Sequence, residues 1–271
     1  MQTIYEPKGK AREYSPLALN LYKNCDHKCR YCYVAKLFAQ HQFEEVVPRL
    51  NIIQELEKDI QKLKEKRQVL LSFTGDPYCR ANDKFKITRR ALKLLLKNNI
   101  PVAILTKGGK RCLQDLDIFI EYKDLIKVGM TLTFVNLQNS QYYEPNASTP
   151  QERFDSLRIL YENKIKTWVS IEPVIFEDES LQTIKETYKF VDHYKVGLTN
   201  YFRLPKPINW KQFGIKAINL LRELNKPFYI KEDLRFYTGL DLLKENEADK
   251  DFLAVKSTEK QSIQPTQPAL F

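Results

Sequence analysis

The chain has 271 residues, 43% hydrophobic and 29% charged, a globular composition that is long enough for one large or two small domains and excludes disorder throughout. It holds no run of about eighteen uncharged apolar residues and opens MQTIYEPKGKAREY, with no apolar signal core, so a cytoplasmic protein is expected, one that neither spans a membrane nor enters a secretory route. The net charge is +10, and because 241–271 carries six acidic residues against four lysines, residues 1–240 carry +12; a field of that sign suits a polyanionic partner such as nucleic acid, the bland alternative being a solvated lysine surface.

In chain order, short β-type runs alternate with longer helical patterns, the signature of βα units around a parallel sheet. Six strands are predicted, at 17–22, 69–73, 101–106, 127–134, 167–174 and 195–200, with a seventh, edge-like strand at 227–231. After the first strand, 47–64 places Leu50, Ile53, Leu56, Ile60 and Leu63 on one helical face. Further helices are predicted at 90–98, at 150–161, where Ser148 and Thr149 are N-cap candidates, and at 210–224. Right-handed crossovers curl such units into a full or partial α/β barrel whose sites lie at the C-terminal strand ends. The pattern stops near Leu243, and the polar, charged, proline-containing remainder is expected to be a flexible tail outside the core. The expected division is a folded body over 1–240 and a C-terminal extension with its tail over 241–271.

Five cysteines, three of them within eight residues, argue against a disulfide framework and for a metal or cluster site. The first strand runs into Asn24-Cys25-Asp26-His27-Lys28-Cys29-Arg30-Tyr31-Cys32-Tyr33. Thiolates of Cys25, Cys29 and Cys32 can ligate three irons of a [4Fe–4S] cluster and leave the fourth iron open, since no further cysteine is near. The alternative is a zinc site with His27 or a distant residue as fourth ligand, although the second ligand pair usual for zinc is missing. Cys79 and Cys112 are isolated, and His41 and His193 read as structural.

CxxxCxxC after the first strand of a six-unit βα chain, with an aromatic before the last cysteine, resembles the radical S-adenosylmethionine (SAM) enzymes. More narrowly, NLYKNCDHKCRYCYVAK, SFTGDPY, ITRR, ILTKGGKR, VGMTLTF and YYEPNASTPQERFDSLRIL, in that order and spacing, resemble the branch that contains spore photoproduct lyase. The resemblance implies a partial (β/α)6 barrel over 1–240, an enzyme of lyase-like type, and two cofactors, a [4Fe–4S] cluster on Cys25, Cys29 and Cys32 and SAM chelated to the open iron. An external electron donor is implied as well, because SAM is cleaved reductively to a 5′-deoxyadenosyl radical. It further implies that Tyr31 packs near the adenine, that Thr74, Gly75 and Asp76 receive the methionine amino group, that Lys107 meets the methionine carboxylate, and that Thr131 and Thr133 meet the ribose hydroxyls. Arg153, at the family's spacing after Glu144-Pro145, would bind the carboxylate or brace the loop.

In spore photoproduct lyase a cysteine on the second strand returns hydrogen with help from tyrosines near the cluster. Tyr31 and Tyr33 stand at the matching tyrosine positions, but Phe73 stands where the cysteine is expected, which puts repair of that particular lesion in doubt. Cys79, six residues on, is the candidate substitute thiol donor. The implied substrate is nucleic acid, DNA lesions first; the rivals are radical modification of a protein, peptide or RNA, and a metal-stabilised binding module without catalysis. Finally, Gln267, Leu270 and Phe271 resemble the terminal peptide by which repair proteins bind the sliding clamp, on a tail whose reach is about 30 Å.

Overall fold

The computed structural model describes residues 3–38 and 45–257. Its centre is an eight-stranded sheet of β1 (Ile4–Tyr5), β2 (Leu17–Leu19), β5 (Val69–Leu71), β6 (Val102–Thr106), β7 (Ile126–Thr131), β8 (Lys166–Ile171), β9 (His193–Val196) and β10 (Phe228–Ile230), paired in that order. All pairs are parallel except β1 on β2. All seven predicted strands are present, shortened mainly at their C-terminal ends, where the chain leaves the sheet to build loops. The antiparallel edge strand β1 is too short for any periodicity to announce it. The fold is the expected α/β partial barrel, open between β1 and β10.

Small β3 (Tyr22–Lys23) and β4 (Val47–Pro48) pair beside the barrel. The helices are α1 (Tyr33–Leu37), α2 (Ile52–Lys62), α3 (Arg80–Phe85), α4 (Ile87–Lys97), α5 (Leu116–Glu121), α6 (Leu137–Tyr143), α7 (Pro150–Glu162), α8 (Glu177–Thr187), α9 (Trp210–Glu223), α10 (Glu232–Thr238) and α11 (Glu245–Ala248). The helix expected at 47–64 starts late: Pro48 lies in β4 and Asn51 holds a left-handed φ of 51°. Leu50, placed on the buried face by its spacing, is therefore 85% exposed, whereas Ile53 and Leu56 are buried.

The larger core lies between the outward faces of the strands and the helices, with Leu92 and Leu95 of α4, Leu157 and Leu160 of α7, and Ala217 and Leu221 of α9. Strand alternation sends Leu70, Ala103 and Trp168 inward, where Tyr14, Phe73 and Leu105 pack on them. Gly129 has no side chain because the Trp168 indole occupies the space a Cβ would take. Trp168 Nε1 donates to Ile104 O at 3.0 Å, which satisfies its one polar atom.

The expectation for 241–271 is corrected over 241–257. Arg222 grips Glu247 through two bonds, at 2.9 and 2.5 Å, and Arg12 grips Asp251 at 2.7 and 2.6 Å. Lys127 Nζ, inside the barrel, donates to Leu253 O at 2.6 Å, Val255 N donates to Gln68 Oε1 at 2.8 Å, and Val255 is buried. This segment is held by ion pairs and single hydrogen bonds to distant residues, which leave no periodic trace. Gln267, Leu270, Phe271 and His41 lie outside the described residues.

Candidate active site

A cavity opens at the C-terminal strand ends, lined on one side by Cys25, His27, Cys29, Tyr31, Cys32 and Tyr33 and elsewhere by Thr74, Gly75, Asp76, Lys107 and Thr131. These eleven residues thus share one cavity, although they come from four separate segments of chain. Gly75 is required there, since a Cβ would meet Asn24 O of the cysteine loop at 2.9 Å.

The loop is held from both flanks. Arg80 N donates to Asp26 Oδ2 at 2.8 Å on the α3 side. On the other side the chain after α6 grips it: Arg30 N donates to Tyr143 O at 2.9 Å, Asn146 N to His27 O at 3.2 Å, and Asn146 Nδ2 to Asp26 O at 2.9 Å. Burial pushes the Cys29 thiol up to about 12, and burial aided by Asp76 pushes Cys25 up as well. Such thiols ionise when a cation takes the place of their protons.

Lys107 follows β6, and its ammonium stands 5.6 Å from the centre of the Tyr31 ring. Burial disfavours its charge, but Cys29, Glu144 and Asp76 together outweigh that and hold its pKa above the ordinary lysine value. It donates no hydrogen bond to any described residue, so a cationic head is left for an anion in the cavity.

Three expectations are corrected by burial and hydrogen bonding, those for Arg153, Thr133 and Cys79. Asp76 faces the cavity as expected and also holds the chain around it: Oδ1 accepts from Tyr78 N at 2.8 Å and Thr106 Oγ1 at 2.6 Å, and Oδ2 accepts from Lys107 N at 2.8 Å. Burial opposes its charge, yet His27 and these bonds keep its carboxyl below the usual range. Arg153 does not line the cavity; it donates to Ser148 O and Thr131 O, each at 2.9 Å, and pairs with buried Glu144. Of the two alternatives for Arg153, bracing is the one the structure contains. Thr133 is fully buried behind Tyr31, and Cys79 is fully buried at the start of α3 and outside the cavity lining, so neither reaches a substrate.

Tyr31 Oη donates to Glu144, whose other oxygen meets Arg153. The pairing of Glu144 with Arg153 is open to sequence reading, since one motif holds both residues, whereas nothing local reveals which tyrosine Glu144 will meet. The cavity also takes in Lys10, Tyr14, Ser170, Glu172, Asn200 and Lys231, none singled out by sequence. Glu172 and Lys231 directly follow β8 and β10, so the strand-end rule was the available signal; Tyr14 and Lys10 carried none.

The model of the radical SAM superfamily matches residues 19–191. The chain belongs to this superfamily. Radical SAM proteins bind a [4Fe–4S] cluster and SAM, and these are its cofactors. The residues present fit the cluster: Cys25, Cys29 and Cys32 are free thiols facing one cavity. Each thiolate of a cubane takes its own iron, so three thiols on one cavity suit the three protein-held irons and leave the fourth for SAM.

Similar chains include the uncharacterized protein MJ0683 of Methanocaldococcus jannaschii, 29% identical over 67% of this chain and 70% of that one. The uncharacterized protein ORF301 of Acidianus two-tailed virus is 26% identical over 70% of this chain and 66% of its own. Among solved structures, Streptococcus suis SuiB bound to the precursor peptide SuiA has a TM-score of 0.64 at 14% identity, covering 84% of this chain and 51% of SuiB. Spore photoproduct lyase has a TM-score of 0.62 at 12% identity, covering 80% of this chain and 76% of that one. At such identities the likeness is one of fold. No helix among the described residues is long and apolar enough to cross a membrane.

Proposed function

We propose that this radical SAM protein is a cytoplasmic enzyme of the spore photoproduct lyase-like branch acting on nucleic acid, with damaged DNA as the first candidate. One contact carries the reading. Tyr33 Oη donates to Phe73 O at 2.7 Å, and both residues line the cavity. The two positions that carry tyrosine and the hydrogen-returning cysteine in that branch are thus adjacent here, and the charge of +12 over 1–240 suits a phosphate backbone.

Cluster and SAM together supply, on one-electron reduction, methionine and a 5′-deoxyadenosyl radical. Cys25, Cys29 and Cys32 would hold the cluster, and Lys107 would neutralise the methionine carboxylate. The turn at Thr74 and Gly75 would receive the methionine amino group, Thr131 the ribose, and Tyr31 the adenine. Glu144 and Arg153 fix Tyr31 from behind, while Asp76 holds the Lys107 backbone. Tyr33, with Phe73 beside it, faces the substrate and excludes water. With Phe73 lacking a thiol and Cys79 buried, hydrogen return by cysteine is not part of this reading.

Anaerobic reconstitution followed by assay of iron, sulfide and 5′-deoxyadenosine tests the chemistry, and titration of duplex DNA at rising salt tests the substrate. Affinity falling linearly with the logarithm of salt concentration supports nucleic acid; no measurable DNA binding at low salt sinks it in favour of a peptide or protein target. In the same assays Cys29→Ala is expected to lose bound iron and all SAM cleavage, and retention of both overturns the three-thiolate assignment.

A further inference from the structure

Beside the residues of the cysteine loop, the cavity is lined by Tyr14, Phe73, Ser170, Glu172, Asn200 and Lys231. Their polar groups form one network in which Glu172 is saturated on one oxygen only. Oε2 accepts from Tyr14 Oη and from Lys231 Nζ, each at 2.6 Å. Tyr14 has spent its proton on Glu172, so the 2.8 Å contact with Ser170 is donated by the serine. Among the described residues Oε1 is reached only by Asn200 Nδ2, at 3.5 Å, and the carboxylate faces the cavity at 15% exposure.

Two donors stand beside that open acceptor. The Lys231 side chain is 3% exposed and has one strong bond, its second carboxylate, Glu13, lying 3.7 Å away. The amide of Asn200 is oriented by Lys10 Nζ, which donates to Asn200 Oδ1 at 2.6 Å and leaves the NH2 turned towards Asp233 and Glu172. Flat apolar walls come from Phe73 and Tyr14, whose rings meet edge to face at 6.0 Å. Glu172 and Lys231 balance each other's charge, so this end suits a neutral group that offers both a donor and acceptors. An acceptor with donors beside it is the complement of an N–H between two carbonyls, the imide edge of a pyrimidine.

We propose that the Glu172 end of the cavity is a nucleobase subsite for an imide edge, with the ring N–H donated to Glu172 Oε1 and the neighbouring carbonyl oxygens received by Lys231 and Asn200. The base is unstacked and turned out of its strand to enter. The subsite rests on the nucleic-acid reading above, and the test separates the two.

The reconstituted protein is titrated anaerobically with short oligo(dU), oligo(dC) and oligo(N3-methyl-dU), read by fluorescence anisotropy. Oligo(dU) is expected to bind about tenfold tighter than the other two, the discrimination of one good base-edge contact. Equal binding of all three overturns the subsite and leaves the nucleic-acid reading standing; binding of none overturns both. In Glu172→Gln the amide oxygen is claimed by the Lys231 and Tyr14 donors, which turns the NH2 towards the cavity and converts acceptor to donor. That variant is expected to lose the oligo(dU) preference and shift towards oligo(dC), whose ring nitrogen accepts. An unchanged preference overturns the role of Glu172.

Discussion

At the residue scale the most informative group is Glu144, a buried carboxylate between the Tyr31 hydroxyl and the Arg153 guanidinium. Burial raises its pKa, but Arg153, Lys107 and the two hydrogen bonds outweigh that and leave it below the ordinary glutamate value. A carboxyl depressed in the fold contributes stability that is fully present above its unfolded pKa and is lost as pH falls through the folded value. Glu144→Gln strands Arg153 without its partner, so the unfolding free energy at about pH 7 is expected to drop by about 3 kcal/mol. The gap to the parent protein should narrow as pH falls from the ordinary glutamate range through the depressed folded value, where the parent loses the same charge. Urea midpoints at several pH values read both effects, and a pH-independent gap refutes the depressed carboxyl. The cysteine loop was legible at this scale because its three thiols are neighbours in sequence, whereas Glu144 and Tyr31 are 113 residues apart.

At the scale of elements, helix α7 shows how local signals place a distant brace. Thr149 accepts from Glu152 N at 3.2 Å while its own N–H donates to Glu152 Oε2 at 2.9 Å, and Pro150 opens the first turn. This capping box fixes the start of the helix that carries Arg153 one turn on. Thr149→Ala is expected to cost about 1 kcal/mol, seen as a lower urea midpoint; a cost near zero means the cap adds nothing beyond Pro150. The start was readable from Ser148 and Thr149. The late start of α2 was not, since the spacing that includes Leu50 remains apolar through a turn broken by Pro48 and left-handed Asn51.

At the scale of the whole molecule, the chain after α10 closes the barrel from below. Truncation after Leu243 removes the partners of Arg222, Arg12 and buried Lys127 and uncovers the site of Val255. That truncation is expected to destabilise the fold by several kcal/mol, about what the loss of buried partners and an apolar side chain brings together. Truncation after Ser257 keeps all of these contacts and is expected to leave a higher thermal midpoint than truncation after Leu243; equal midpoints for both truncations refute the closing role. If Gln267, Leu270 and Phe271 act as the clamp peptide they resemble, removal of Gln267 to Phe271 is expected to abolish binding to a sliding clamp in a pull-down while SAM cleavage continues. Unchanged clamp binding disposes of that proposal.

Sequence by itself determined the α/β order, the seven parallel strands, the cysteine loop and the family, because each is written in neighbouring residues or in a repeated period. The tertiary structure decided which polar side chains face the cavity. It chose bracing for Arg153, buried Cys79 and Thr133, and brought Tyr14, Glu172 and Lys231 together from positions as far as 217 residues apart. Those outcomes depend on strand register and on which donors meet in the barrel interior, and a hydrogen bond between distant residues leaves no mark on the sequence near either one.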